Sequence, residues 1–146
     1  MKPTVEYTED KIFIHHAMGT VSMNRTTNEA RDKAILADNL AMFEQDDFYK
    51  SEEFTAEFNQ HLETVILATR GGGAGAVACR DTLLSLYNGY AYKANLSKWY
   101  SLDSTKRKAL LFVLEHQTTC NRKDIDLYLP EYKIDFTRMK EEVSHD

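Results

Sequence analysis

Apolar residues are most densely placed in two segments near the middle of the chain, residues 77–87 and 109–114. In each segment the apolar positions cover more of a helix than one face can hold, so both helices must pack against other elements. Asn88-Gly89 ends the first helix, and Asp103-Ser104 begins the second. We expect the rest of the chain to be arranged around this pair.

Apolar residues at helical spacing predict two further helices before this pair. The second of them carries apolar residues three and four positions apart: Phe54, Phe58, Leu62, Val65 and Ile66. The first begins after Thr26, Thr27 or Asn28, any of which is a suitable N-cap. Its alanines form a stripe that permits close helix packing: Ala30, Ala34, Ala37 and Ala41. We expect the acidic Gln-Asp-Asp segment at residues 45–47 to end this helix.

The first 26 residues have the pattern of strands rather than helices. Residues 11–16 and 20–24 are rich in β-branched and aromatic side chains and flank a short loop that contains a glycine, which predicts a β-hairpin. Val5 and Tyr7 are candidates for a third strand. At the other end of the chain, Pro130 divides a tail in which we expect a closing helix over residues 135–143.

The expected fold is therefore mainly α with a small N-terminal β-hairpin, an α+β architecture in which about four to five helices form a compact bundle packed on the hairpin. The length of 146 residues fits a single domain, residues 1–146. Within it we distinguish a β-hairpin region (1–26), a helical core (27–117) and a C-terminal extension (118–146).

Composition places the chain among soluble globular proteins, with 42% hydrophobic and 28% charged residues. No apolar stretch approaches the roughly 18 residues of a membrane-spanning helix. The amino terminus lacks the apolar run of a signal peptide, so we expect a cytoplasmic protein without a membrane partner. Cys79 and Cys120 are expected to be reduced thiols.

Charge is unevenly distributed along the chain. Residues 1–69 have a net charge of −7 and residues 70–146 one of +2, within a total of −5. An acidic surface repels nucleic acid and suits a basic protein partner, although a solvated surface is the simpler interpretation. Four carboxylates are candidate partner contacts on this surface: Asp46, Asp47, Glu52 and Glu53. As catalytic acids or metal ligands they are less convincing, because a turn and the helix dipole explain them.

A glycine cluster separates the second and third helices: Arg70, Gly71, Gly72, Gly73 and Gly75. Because glycine has no side chain, its backbone N–H groups at the start of a helix are free to bind a phosphate or carboxylate. Arg80, in the helix that follows, would add positive charge nearby. The motif lacks the lysine of a P-loop, and a helix rather than a strand precedes it. A flexible interhelical turn is the main interpretation, with anion or nucleotide binding as the alternative.

Basic residues near the ends of the fourth helix form a second candidate site: Lys106, Arg107, Lys108, Arg122 and Lys123. Two short helices expected over residues 121–129 and 134–143 would complete an outline like a helix-turn-helix. Acidic residues in the second of these helices argue against binding to phosphates, which requires a surplus of bases.

Histidines and cysteines do not form a recognisable site. Only His116 and Cys120 have a spacing suited to a shared ligand, and no orienting acid or oxyanion donor accompanies them. We therefore predict no catalytic residues, no metal and no cofactor.

Aromatic residues are concentrated between the two central helices: Tyr87, Tyr90, Tyr92, Trp99 and Tyr100. Leu96, Trp99 and Leu102 recur at intervals of three, which is typical of one 3₁₀ or helical turn. Tyrosine and tryptophan combine rigid contact area with a polar group, so this set is either the rim of a core or a partner-binding surface.

Short stretches between residues 70 and 116 resemble a family of small uncharacterised proteins carried by phages, plasmids and integrative elements. The resemblance rests on the run Gly75-Ala76-Val77-Ala78, on residues 83–89, which end in Tyr-Asn-Gly, and on residues 96–103. It implies an accessory protein of a mobile genetic element, of the kind that binds host machinery as an inhibitor or adaptor. It implies no activity and no site residue.

Together these features favour a non-enzymatic protein-binding module in the cytoplasm of a bacterial host, which inhibits a host defence system through an acidic or aromatic surface. Its expected partner is a host protein or protein complex, and a homo-oligomer is left open. A helical DNA- or RNA-binding regulator that uses the basic residues is one alternative. Nucleotide or anion binding at the glycine cluster is the other.

Overall fold

The computed structural model describes residues 2–17, 19–119 and 123–145. The chain is mainly helical with a three-stranded antiparallel sheet near its amino terminus, which confirms the expected α+β fold. It forms two compact units, residues 1–51 and 52–146. The first predicted helix therefore belongs with the strands, and the expectation of one domain over the whole chain stays a prediction.

The sheet of the first unit contains β1 (Thr4–Tyr7), β2 (Lys11–His16) and β3 (Gly19–Asn24), in that order. β2 and β3 form the predicted hairpin, in which Ile14 lies opposite Val21. β1 is the third strand that the sequence suggested, and it pairs with the other edge of β2.

The helix described in this unit, α1 (Glu29–Tyr49), ends later than expected. Its acidic segment lies inside the helix, where Lys50 Nζ lies 2.6 Å from an Asp46 oxygen and His16 Nε2 lies 3.1 Å from an Asp47 oxygen. These partners, one on the next turn and one on β2, offset the weak helix preference of aspartate.

The core of the first unit lies between the sheet and α1. Ile12 and Ile14 of β2 are buried with Leu36 of α1, and Leu40 and Phe43 pack beside them partly buried. The alanines expected to form a packing stripe are exposed instead: Ala30, Ala34, Ala37 and Ala41. The helix packs through its larger side chains because they bury more apolar area.

The second unit contains α2 (Glu52–Ala68), α3 (Ala74–Tyr87), α4 (Ser104–Thr119) and α5 (Lys133–Ser144). Short 3₁₀ helices at Leu96–Ser101, Ile125–Leu127 and Pro130–Tyr132 connect them. The α-helix expected over residues 121–129 is not formed in the described part of that range, where the chain makes the Ile125–Leu127 turn instead.

Helix periodicity predicted the core of this unit well. The five apolar residues singled out in α2 are all buried: Phe54, Phe58, Leu62, Val65 and Ile66. α3 contacts α2, α4, α5 and the Leu96–Ser101 helix, so it is the central helix of the unit. Among the described helices, none has both the length and the apolar character needed to cross a membrane.

Candidate functional site

Residues 88–101, which follow α3 and end two residues before α4 begins, are the aromatic strip. It leaves α3 through a turn built on Asn88, whose side-chain oxygen accepts hydrogen bonds from the N–H groups of Tyr90 and Ala91 at 3.1 and 3.2 Å. The Asn88 carbonyl accepts a further bond from the Tyr92 N–H at 3.0 Å. Asparagine commonly organises turns in this way, and the turn fixes the backbone that carries Tyr90.

The second half of the aromatic strip is the Leu96–Ser101 3₁₀ helix, which confirms the turn expected from the spacing of its apolar residues. The Asn95 side chain caps its start by accepting a hydrogen bond from the Ser97 N–H at 3.0 Å. At its other end, Arg107 of α4 donates to the Trp99 carbonyl at 3.2 Å. Both ends of this short helix are therefore held in place.

The aromatic strip runs back along α3 rather than away from it. It begins at Asn88, whose N–H bonds to the Leu84 carbonyl near the end of α3. It ends at Ser101, whose carbonyl oxygen would lie 3.2 Å from a Cβ placed on Gly75, in the first turn of α3. Glycine allows this close approach. Because α3 has 14 residues, the strip extends over about 20 Å.

The predicted aromatic residues divide into anchors and exposed groups. Tyr92 and Trp99 are partly buried, and the 3₁₀ helix that carries Trp99 contacts α3. Tyr90 is 98% exposed, Tyr100 78% and Leu96 66%. Along the chain, Tyr90 therefore lies near the start of the strip, Tyr100 near its end, and Leu96 between them.

Basic side chains accompany the exposed rings. Lys93 donates to the Gly89 carbonyl and Arg107 to the Trp99 carbonyl, and both acceptors are neutral. In the part of the chain that the structure describes, no carboxylate pairs with Lys93, Lys98 or Arg107. Residues 88–108 contain five basic residues and one acidic residue, a net charge of +4 in a chain whose total is −5.

The glycine cluster forms the turn between α2 and α3, as its main interpretation predicted. Gly71, Gly72 and Gly73 lie in the turn, and Gly73 precedes α3 with a φ of 91°, which favours glycine. Gly75 does not belong to the turn, because it lies within α3 and contacts the end of the aromatic strip.

Beside this turn, three arginines and three carboxylates form the ion-pair network: Arg70, Arg80, Arg138, Asp81, Asp135 and Glu142. Arg70 binds the buried Asp135 with two nitrogens, at 2.9 and 3.0 Å. Hydrogen bonds from Arg70, and secondarily from Arg138, hold the pKa of the Asp135 carboxyl below its ordinary value. The interaction with Asp135 raises the pKa of Arg70 in turn.

The remaining members of the ion-pair network connect α3 with α5. Arg138 Nη1 lies 2.6 Å from Glu142 Oε1, and Arg138 Nη2 donates to the Thr69 hydroxyl at 2.8 Å. The buried Arg80 binds Asp81 at 2.9 Å, and one of its nitrogens lies 3.8 Å from Glu142.

An open cleft of about 400 Å³ lies against the ion-pair network and is lined by Thr69, Arg70, Gly71, Asp135 and Arg138, among others. The structure thus brings together Arg70, the glycine turn and Arg80, as the anion-binding alternative requires. The described network also holds as many carboxylates as arginines, so an incoming anion would meet Asp135 and Glu142 together with the bases.

Sequence reasoning missed the part of the ion-pair network on α5. Asp135, Arg138 and Glu142 are three and four residues apart, the spacing of ion pairs within a helix, and this signal could have found them. Arg70 is 65 residues from Asp135, and no local pattern connects the two.

The predicted acidic contacts have local explanations. Asp46 and Asp47 are paired with the bases described above, in α1 of the first unit. Glu52 and Glu53 are exposed in the first turn of α2, where the helix dipole favours negative charge.

The predicted basic patch is divided along α4. Lys106, Arg107 and Lys108 lie in its first turns, and Lys106 is paired with Asp103 at 3.2 Å. The Lys123 carbonyl accepts a hydrogen bond from Gln117, near the other end of α4 and about 15 Å away along the helix. Arg122 lies outside the described residues. Lys106 and Lys123 therefore lie near opposite ends of α4, and the nucleic-acid alternative stays a prediction.

Burial raises the pKa of the Cys79 thiol to about 11, so the thiol stays protonated in the core. His61 and His116 each pack against Phe112 with tilted rings, whose centroids lie 4.3 Å apart. Cys120 lies outside the described residues. Elsewhere, no group of three or more described His, Cys, Asp or Glu side chains is arranged to hold a metal ion.

Comparison with known proteins gives a match to a family model. A family model described as a family of unknown function (DUF7673) matches residues 59–143, more than half of the chain. The matched segment begins within α2 and includes the aromatic strip and the ion-pair network, whereas Asp46, Asp47, Glu52 and Glu53 lie before it. No curated protein and no solved structure matches the chain.

Proposed function

We propose, for a chain that belongs to the DUF7673 family of unknown function, a role as a non-enzymatic protein-binding module whose contact surface is the aromatic strip. The observation that carries this proposal is the exposure of Tyr90, Leu96 and Tyr100 on a backbone held by hydrogen bonds. Several exposed apolar side chains on one short segment are typical of a contact with another protein.

The fixed backbone of the aromatic strip favours binding. A loop that is ordered before it meets its partner loses less conformational entropy in the complex, so more of the contact energy appears as affinity. Asn88 and Asn95 bond the strip internally, and Arg107 bonds it to α4. Tyrosine is also among the residue types that contribute most to protein interfaces.

Two observations favour the aromatic strip over the acidic residues as the contact surface. The strip lies within the segment that the family model matches, whereas the four acidic residues lie before it. Asp46 and Asp47 are also already paired with bases of their own unit.

We extend the proposal to a biological setting on the resemblance of residues 70–116 alone. In this extension the protein is an accessory protein of a phage, plasmid or integrative element. It acts in the cytoplasm of the bacterial host as an inhibitor of a defence system, and its partner is a host protein or complex.

Site-directed photocrosslinking tests the proposed function. A benzophenone amino acid in place of Leu96 should capture a protein from bacterial lysate, which is then identified by mass spectrometry and purified. Tyr90→Ala combined with Tyr100→Ala should lower the affinity for that protein about 100-fold, because each tyrosine loses an interface contact.

A matched control uses exposed apolar residues outside the aromatic strip, Met42→Ala with Ile134→Ala, which are 62% and 75% exposed. This control should keep the wild-type affinity. The proposal fails if the control loses affinity while the tyrosine variant keeps it.

A further inference from the structure

We propose that the aromatic strip binds an acidic segment of its partner, about 20 Å long, whose apolar side chains meet the exposed rings and whose carboxylates meet Lys93 and Lys98. This inference rests on the function proposed above and names the chemistry of the partner.

Charge complementarity supports an acidic partner. Lys93 and Lys98 lie in the strip itself, and Arg107 supports it from α4. None of the three is paired with a carboxylate among the described residues, so their charges remain to be matched from outside. A basic surface on an otherwise acidic protein steers acidic partners towards it and repels basic ones.

The geometry of the aromatic strip sets the length of the partner segment. Tyr90 follows Asn88 and Tyr100 precedes Ser101, the two ends of a run along α3, and Leu96 lies between them in the chain. A run of about 20 Å is matched by an extended segment of roughly six residues or a helix of roughly 14. The partner segment therefore needs apolar groups at both ends of such a length and carboxylates beside them.

The same features disfavour a nucleic acid. Binding to phosphates needs many unpaired bases, and Lys106 is already paired with Asp103. Leu96, exposed in the middle of the aromatic strip, offers no flat face on which a base could stack. An acidic protein segment can offer apolar side chains to the exposed apolar residues and carboxylates to the basic ones.

The only tryptophan of the chain, Trp99, lies in the aromatic strip and reports binding there by its fluorescence. The probes are three synthetic peptides with one pattern of leucine and phenylalanine and with glutamate, glutamine or lysine at the intervening positions. The glutamate peptide should bind at least roughly tenfold more tightly than the glutamine peptide, and added salt should weaken it because exposed charges are screened.

Charge reversal identifies the residues responsible. Lys93→Glu with Lys98→Glu should weaken binding of the glutamate peptide about tenfold or more. Lys33→Glu with Lys133→Glu changes the net charge equally at exposed positions outside the strip and should leave the affinity unchanged. Circular dichroism confirms that both variants fold.

The other outcomes overturn the inference in distinguishable ways. If the glutamine peptide binds as tightly as the glutamate peptide, the acidic partner is excluded while protein binding stands. If an oligothymidylate binds more tightly than any peptide, the occupant is a nucleic acid. A salt-sensitive dimer that the Lys93→Glu/Lys98→Glu variant abolishes would assign the strip to a second copy of the chain. If no peptide changes the Trp99 fluorescence, the inference also fails, and the proposed function is then judged by the crosslinked partner alone.

Discussion

The ion-pair network and the aromatic strip lie against the same helix, and they differ in where their groups find partners. Gly75 touches the strip and Arg80 belongs to the network, and their positions on α3 place them about 140° apart around its axis. In the network, arginines meet carboxylates of the same unit. In the strip, lysines meet neutral carbonyls or solvent, and three apolar side chains meet solvent.

This difference separates stability from binding. Groups that are satisfied within the chain lower the free energy of the folded state, and using them for a ligand would require breaking those contacts first. Groups that the fold fixes in position but leaves unmatched can bind without that cost. The glycine turn is the more conspicuous feature in the sequence, yet the aromatic strip is the better candidate for recognition.

The largest effect on stability is expected for Asp135→Ala. Removing this buried carboxylate takes away the hydrogen bonds that it accepts from Arg70 and Arg138, which should lower the free energy of unfolding by about 2 kcal/mol. Urea denaturation measures the loss. Glu141→Ala, at an exposed position of the same helix, should change the value by less than about 0.5 kcal/mol. Equal losses in the two variants would show that the network does not stabilise the unit.

Low pH should lower the free energy of unfolding by less than the Asp135→Ala substitution does, because it also weakens the ion-pair network. The pKa of Asp135 in the folded state lies below its ordinary value of 3.8, so its contribution to stability is complete above about pH 4. That contribution is lost as the pH falls through the folded-state pKa. The free energy of unfolding of the wild-type chain should therefore decrease below pH 4.

Asp135→Asn provides the comparison for this titration. Its free energy of unfolding should depend less steeply on pH over the same range. Asp32 and Asp103, whose pKa values are also lowered by hydrogen bonds, should supply the slope that remains. If the free energy of unfolding depends on pH equally in the wild type and the variant, Asp135 is not responsible for the loss of stability in acid.

The smallest expected effect concerns the glycine turn. Gly73→Ala should cost roughly 1 kcal/mol, because Gly73 has a φ of 91° that alanine rarely adopts, although no atom lies within 4 Å of the added Cβ. Gly72→Ala, which also meets no atom within 4 Å, should cost little. Measuring the Tm of each variant with and without inorganic phosphate also tests whether the glycine turn binds an anion. A phosphate-dependent rise in Tm that Gly73→Ala removes would instead assign anion binding to the turn.

Local patterns predicted what local interactions determine. The spacing of Phe54, Phe58 and Leu62 identified the buried face of α2, because residues four apart lie on the same face of any α-helix. The turn at Asn88 and the start of α4 at Asp103 follow from side chains that bond to neighbouring backbone groups.

Distant partners account for what the sequence could not predict. The end of α1 was misplaced because His16 of β2 pairs with Asp47. A count of charges likewise does not show where the Lys123 backbone lies, which the hydrogen bond between its carbonyl and Gln117 of α4 fixes. The aromatic residues were identified as a candidate surface, but only the course of the strip along α3 shows which of them are exposed.

Hydrogen–deuterium exchange of the chain, free and bound to its crosslinked partner, tests the central claim most directly. Amides of residues 89–101 should exchange more slowly in the complex, while those of residues 69–73 and 134–142 should not change. Slower exchange at the glycine turn and α5, with the aromatic strip unchanged, would contradict the assignment of the strip as the binding surface.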